Sequence, residues 1–210
     1  MKRQTVFVGF IGAAGLAAQL AIAGAAAAGS AAVGEPAPEF QAVDINGKPV
    51  KLSDYRGKTV VLEWTNHECP FVRKHYSSAN MQGLQKSTTG DGAVWLTIVS
   101  SAEGEQGYVT PVEANRIVAD AKAAPSAKIL DPKGDIGRAY GAQVTPHMYV
   151  IDGEGKLAYA GAIDDKPSTK VADIESARPY FHEAFGAVTK GETPNPAVTR
   201  AYGCSIKYAS

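Results

Sequence analysis

Residues 59–76 read TVVLEWTNHECPFVRKHY, and the fold turns on how this stretch is divided. Thr59 to Trp64 have the apolar density of a strand buried on both faces at the centre of a sheet. From Pro70 to about Lys86 the chain reads as a helix, with Phe71, Val72, Tyr76 and Ala79 near one face at helical spacing. Pro70 suits the first turn, where no backbone donor is needed. Between strand and helix stands Cys69. Its thiol has three readings: half of a structural crosslink, a metal ligand, or a reactive nucleophile.

On the N-terminal side, FQAVDI (40–45) and PVKL (49–52) are short strand-like pieces, and Asn46-Gly47 between them is a hairpin turn signal. On the C-terminal side, AVWLTIVS (93–100) is a second buried strand and TPVEANRIVADAKAA (110–124) a helix. AKIL (127–130) is a short strand and DIGRAYGA (135–142) a short helix ended by Gly141. HMYVID and KLAYAG form a hairpin about the turn GEG. Residues 168–188 read as a final helix that Pro179 kinks or splits. Strands alternating with helices and closing on a hairpin indicate an α/β sandwich around a mixed sheet. Function must then come from the site.

The chain has 210 residues, 45% of them hydrophobic, and a formal net charge of zero, which suits one globular domain. That balance gives no reason to expect nucleic acid or an anionic membrane surface as partner. Lys2 and Arg3 precede a largely apolar run from Val6 to Ala28, and Ala26 and Ala28 offer a small-residue cleavage site. Residues 1–28 therefore read as an export signal directing the protein to the periplasm, with an uncleaved anchor as the alternative. A linker (29–35), a folded domain (36–190) and a Pro-rich irregular tail (191–210) carrying Cys204 complete the plan. Outside the cytosol thiols oxidise and stay oxidised, and Cys69 and Cys204 allow one intramolecular pairing.

Cys69 falls at the carboxyl end of a buried strand, where open α/β sheets place their chemistry. It is also at a helix N-terminus, where unpaired amides favour an anion. That effect amounts to about 0.3–2 kcal/mol, or about one pKa unit. A free thiol titrates near about 8.5, so a mostly ionised Cys69 needs a further contribution. Arg73 is the nearest candidate on the same helix face, with Lys74, His67 and His75 as others, and Glu68 must point away. Thr145-Pro146, between a turn and a strand, is a candidate cis bond.

The segment GEPAPEFQAVDINGKPVKLSDYRGKTVVLEW (34–64) resembles the opening of the alkyl hydroperoxide reductase / thiol-specific antioxidant group of the thioredoxin-like superfamily. NHECPFVRKH resembles its peroxiredoxin-like branch, as does the terminal GCSIKY. VTPHMYVIDGEGKLAYAG resembles the superfamily's cis-proline strand and hairpin. The resemblance implies a thioredoxin-like fold: a central mixed sheet flanked by helices, with an N-terminal hairpin and an irregular tail. It implies redox chemistry at Cys69 without a cofactor, and a cis Pro146 whose loop faces the thiol. Thr145, Pro146, His67 and Pro70 would then border the substrate.

Departures from the pattern matter. Val72 stands where a C-x-x-C site has its second cysteine. Thr65 precedes Cys69 by four residues where peroxiredoxins have three, and Arg73 matches the family's activating arginine by proximity alone. The resemblance implies Cys69 as attacking thiolate and Cys204 as resolving thiol, acting on a peroxide or a protein disulfide and restored by an extracytoplasmic dithiol. A permanent Cys69–Cys204 staple on a binding module is the structural alternative, contributing about 4–5 kcal/mol in the chain-entropy treatment. Copper or zinc on His67, Cys69 and His75 is a third. Trp64, Trp95, Phe71 and Tyr149 read as core, His182 as a surface or packing residue, and Asp164-Asp165 as an exposed turn.

Overall fold

The strand β3 (Val60–Trp64) is buried along its whole length and lies in the middle of a five-stranded sheet. This computed structural model describes residue 1 and residues 31–210, so the expected export signal, apart from Met1, lies outside the described residues. The sheet order is β5-β4-β3-β7-β8, with β4 Val94–Val99, β5 Ala127–Leu130, β7 His147–Ile151 and β8 Leu157–Gly161. β4 runs parallel to β3 and β7 antiparallel, which gives the expected mixed sheet. Alternation sends successive β3 side chains to opposite faces. Val60, Leu62 and Trp64 join Phe40, Leu96, Ile98, Tyr140 and Tyr149 on one face. Val61 joins Trp95, Met148, Val150 and the helix residues Met81, Phe181 and Phe185 on the other.

The N-terminal hairpin forms as read, with β1 (Gln41–Val43) antiparallel to β2 (Pro49–Lys51) and Gly47 at a positive φ of 80°. The helix expected from Pro70 to Lys86 is instead two, α1 (Pro70–Ser77) and α2 (Asn80–Gly90), broken where Ala79 turns left-handed at φ 61°. Local side chains take over the backbone there. Ser78 Oγ donates to the His75 carbonyl at 3.1 Å and accepts from the Asn80 amide at 3.4 Å.

The final helix also begins later than expected. α5 spans Tyr180–Thr189 with Pro179 at its cap, and a single 3-10 turn at Val171–Asp173 is the only helical piece between residues 168 and 178. Proline biases the residue before it away from the helical region, so the run stops short of Pro179 and restarts beyond it.

The tail is irregular for most of its length, yet it is docked. A two-residue strand β9 (Cys204–Ser205) pairs antiparallel with β6 (Val144–Thr145), just before β7. The Ile206 amide donates to the Gln143 carbonyl at 2.9 Å, and Tyr208 donates to the Ala142 carbonyl at 2.7 Å. Among the described residues no helix is long and apolar enough to cross a membrane.

Two further helices complete the layers, α3 (Pro111–Asp120) and the short α4 (Asp135–Ala139). α3 opens on a full capping box: Thr110 Oγ1 accepts from the Glu113 amide at 3.3 Å, and Glu113 returns the bond to the Thr110 amide at 2.8 Å. Replacing Thr110 by Ala leaves the Glu113 backbone donor to solvent, while the backbone amide at position 110 keeps the Glu113 carboxylate. The expected loss is about 1 kcal/mol, read from the urea midpoint at unchanged slope.

Candidate active site

Cys69 is the N-cap of α1, in extended conformation. The turn before it is held by Asn66, whose side chain accepts from the Glu68 amide at 2.9 Å while its carbonyl accepts from the Cys69 amide at 3.0 Å. Glu68 is exposed and turns away from the sulfur, accepting from the Gly107 amide at 2.7 Å.

Across from the sulfur, Thr145-Pro146 is a cis peptide bond. As a thiol, Cys69 donates to the Thr145 carbonyl at 3.2 Å. The β6–β9 register sets Cys204 opposite Thr145, so two cysteines distant in sequence meet here, both as free thiols. Gly203 makes the approach possible. Its φ is +139°, and a Cβ there would stand 1.9 Å from the Thr145 carbonyl oxygen.

The two thiols are pushed apart in acidity. Burial drives the Cys69 pKa up, but hydrogen bonds to its sulfur outweigh it and leave the thiol below its ordinary value. The groups that favour the thiolate are the Cys204 thiol, the Val72 amide, Thr145 and the Cys204 amide, acting at longer range than an ordinary capping bond. The Thr145 hydroxyl is buried without a hydrogen-bond partner among the described residues. Cys204 moves the other way, pushed up to about 12 by burial, by its hydrogen bond to Cys69 and by the Cys69 charge.

The docked tail lies over this position, and Cys69 is 0% exposed. Arg73 is exposed, lines a neighbouring cleft with Thr65 and His67, and is not among the groups that set the Cys69 pKa. Arg73 is the fourth residue after the N-cap, on the helix face of Cys69, yet its side chain lies along the rim of that cleft. Thr65 is buried, with its hydroxyl directed at Tyr76.

Lys74 and His75 are buried in a separate cluster. Lys74 Nζ lies 3.4 Å from Asp164 Oδ2, and it donates to the Lys166 carbonyl at 3.0 Å. Tyr202, two residues before Cys204, donates to Asp164 Oδ1. Asp164 is therefore not the exposed carboxylate expected of its turn; it is buried at 5% exposure because it compensates Lys74. His75 is pushed down to about 4 by burial, with Lys74 adding to the effect and Asp164 opposing it. It bonds to Asn80 at 2.8 Å and stays clear of Cys69. His67, Cys69 and His75 thus do not converge, and among the described residues no three His, Cys, Asp or Glu side chains are placed to hold a metal ion. Phe71, expected in the core, is half-buried and packs edge-on against Tyr202 at 5.8 Å.

The sequence reading passed over Glu63 and Lys128. Glu63 is fully buried and accepts from Tyr76 at 2.8 Å, Trp95 at 2.9 Å, Gln85 at 3.2 Å and Thr97 at 3.3 Å. Burial raises its pKa, although these bonds oppose the rise. The available signal was a carboxylate in the middle of an otherwise apolar strand.

A buried thiol at the sheet's carboxyl edge, a second thiol beside it and a cis-proline loop facing both accompany the thiol redox chemistry of this enzyme on a thioredoxin-like fold. The chain belongs to the AhpC/TSA family, which it matches over residues 33–160. It is 27% identical over 133 residues to the thiol-disulfide oxidoreductase ResA of Geobacillus thermodenitrificans, covering 60% of this chain and 67% of that one. It is 30% identical over 182 residues to peroxiredoxin-2 of Bos taurus, covering 77% and 86%. A hypothetical protein of Sinorhizobium meliloti has a similar solved structure, with TM-score 0.72 at 23% identity over 87% of this chain and 97% of that one.

In an alkylation pH profile, Cys69 should titrate below the ordinary thiol range and Cys204 far above it. Cys204→Ala removes a group that favours the thiolate and should raise the Cys69 pKa. Gly203→Ala should loosen the tail and speed Cys69 alkylation about tenfold or more. Unchanged rates in Gly203→Ala would mean that the tail is not what covers the sulfur.

Proposed function

We propose that this chain is an exported thiol–disulfide exchange enzyme, with Cys69 as attacking thiolate and Cys204 as resolving thiol. The observation that carries the reading is the β6–β9 pairing, which sets a thiol of raised pKa against one of lowered pKa. The Cys69 thiolate attacks one sulfur of a partner disulfide. That disulfide bond breaks, a Cys69 mixed disulfide forms, and the other partner sulfur leaves as thiolate. The Cys204 proton passes to this leaving group. Cys204 then attacks the Cys69 sulfur and expels the second partner thiol. The second partner sulfur leaves as thiolate and takes its proton from solvent, so the pair supplies two electrons and the one proton of Cys204, and an extracytoplasmic dithiol restores it.

The mixed disulfide also activates Cys204. Burial remains as a brake, but the Cys69 charge and the hydrogen bond to it are gone, so the resolving thiol ionises more readily than in the resting pair. A protein disulfide reaches Cys69 only when the tail withdraws, because the sulfur has no exposed surface. Withdrawal frees the β6 edge, where an extended substrate would pair as β9 does, bordered by Thr145, Pro146, His67 and Pro70. Export rests on the N-terminal run read above and suits a pair that must cycle through a disulfide.

Peroxide reduction is the second reading, favoured by the identity with bovine peroxiredoxin-2. There Cys69 takes the peroxide oxygen as sulfenic acid, and Cys204 condenses with it to release water. Exchange ranks first because no guanidinium is among the groups acting on the sulfur.

Three measurements separate the readings. Cys204→Ser should accumulate a mixed disulfide with a peptide disulfide, and Cys69→Ser should form none. The reduced wild type should consume hydrogen peroxide slowly in rapid mixing; fast consumption lost only in Cys69→Ser would replace exchange by peroxidase chemistry. The Cys69–Cys204 couple should titrate above about −300 mV, and a value below that would mark a structural staple.

A further inference from the structure

Beside the thiol, but not containing it, a cleft of about 440 Å³ opens between α1, α3 and the sheet. We propose that this cleft binds a small organic carboxylate with an apolar body, the carboxylate being held by the ammonium of Lys128.

The argument begins at the sheet register. Glu63 pairs with Thr97 and Thr97 with Lys128, so three polar residues form one rung across β3, β4 and β5. Glu63 is saturated by its four donors. Lys128 is not. It is 7% exposed, lines the cleft, and among the described residues its ammonium has no hydrogen-bond or ion-pair partner. Lysine is seldom this buried unless paired, and here the ammonium opens onto the cleft and meets no protein group among the described residues. Burial draws its pKa below the usual range, with the Glu63 charge opposing. A ligand anion at this point would supply the missing partner as a charge-assisted bond.

The rest of the cleft fits the other half of such a ligand. Thr97 and Lys128, both buried, form its floor, and Ile117, Val118 and Pro125 supply apolar wall. Arg73 and Asp120 are exposed on its rim and offset one another, leaving Lys128 as the cation that decides. The volume lies within the range of small-molecule sites, which are mostly apolar with a few placed polar groups. Cys69 is not part of the lining, and His67 alone borders both this cleft and the substrate path proposed above, so the bound molecule lies beside the substrate of the thiol.

Decanoate is a suitable probe, with decanol and decylamine as controls of equal chain length. Calorimetric titration of the purified protein should show saturable binding of one decanoate and weaker binding of both controls. Lys128→Met keeps the side chain's length and removes its charge; it should weaken decanoate about tenfold or more and leave decanol unchanged. Cys69→Ser should leave decanoate binding as in wild type, which separates this site from the thiol chemistry. Equal affinity for decanoate and decanol, or full decanoate affinity in Lys128→Met, overturns the proposal. If Lys128→Met fails to fold, the Lys128 side-chain resonance in the wild-type protein decides. It should shift on saturation with decanoate, and an unmoved resonance overturns the proposal.

Discussion

A strand hydrogen-bonded on both sides cannot slip without breaking two ladders at once. β3 is in that position, parallel to β4 and antiparallel to β7, and every side chain it carries is buried. A slip of one residue would send Leu62 and Trp64 to the opposite face and drive the Glu63 carboxylate into apolar packing. The register is therefore fixed, and with it the point where the chain leaves the sheet for Cys69. Because β7 runs the opposite way, its first residue pairs with the last of β3, in the pair Trp64↔His147. That pairing brings Pro146 and Thr145 to the same end of the sheet as the thiol. The active site is a consequence of two ladders sharing one strand.

The tail turns this exposed end into a regulated one. Its short pairing with β6 is a weak element by itself, but it does not act alone. Tyr202 is tied to Asp164, which compensates buried Lys74 on the helix that Cys69 heads. Tyr208 is tied to the Ala142 carbonyl on the other flank of Cys204. Cys204 is thus delivered between two anchors, close enough to donate to the Cys69 sulfur and to cover it. Acidity and access are coupled: the segment that carries Cys204 lies over the Cys69 sulfur and covers it.

The polar rung of Glu63, Thr97 and Lys128 runs against the usual composition of a sheet centre. At its Glu63 end the protein satisfies the polar group internally, with aromatic and amide donors from α1, α2 and β4. At its Lys128 end it leaves the charge facing a cleft. Such local departures from an apolar core cluster at functional positions, where stability yields to binding or chemistry.

The sequence by itself determined the sheet and the place of Cys69 at its edge. Apolar density marked β3 and β4, Asn46-Gly47 marked the first hairpin, and Pro70 marked the start of the helix behind Cys69. Each of those signals is local: a few adjacent residues whose side-chain volume or backbone freedom dictates their own conformation. Helix ends were harder, because the break at Ala79 and the late start at Tyr180 depend on side-chain bonds and on proline that periodicity does not register. Tertiary structure alone decided that Arg73 turns away from the sulfur, that Asp164 is buried against Lys74, and that Cys204 lies on Cys69. It also decided that Lys128 is left without a partner among the described residues. These outcomes depend on which distant backbone edges meet and what they exclude from water. No property of the individual residues carries that information before the chain has closed on itself.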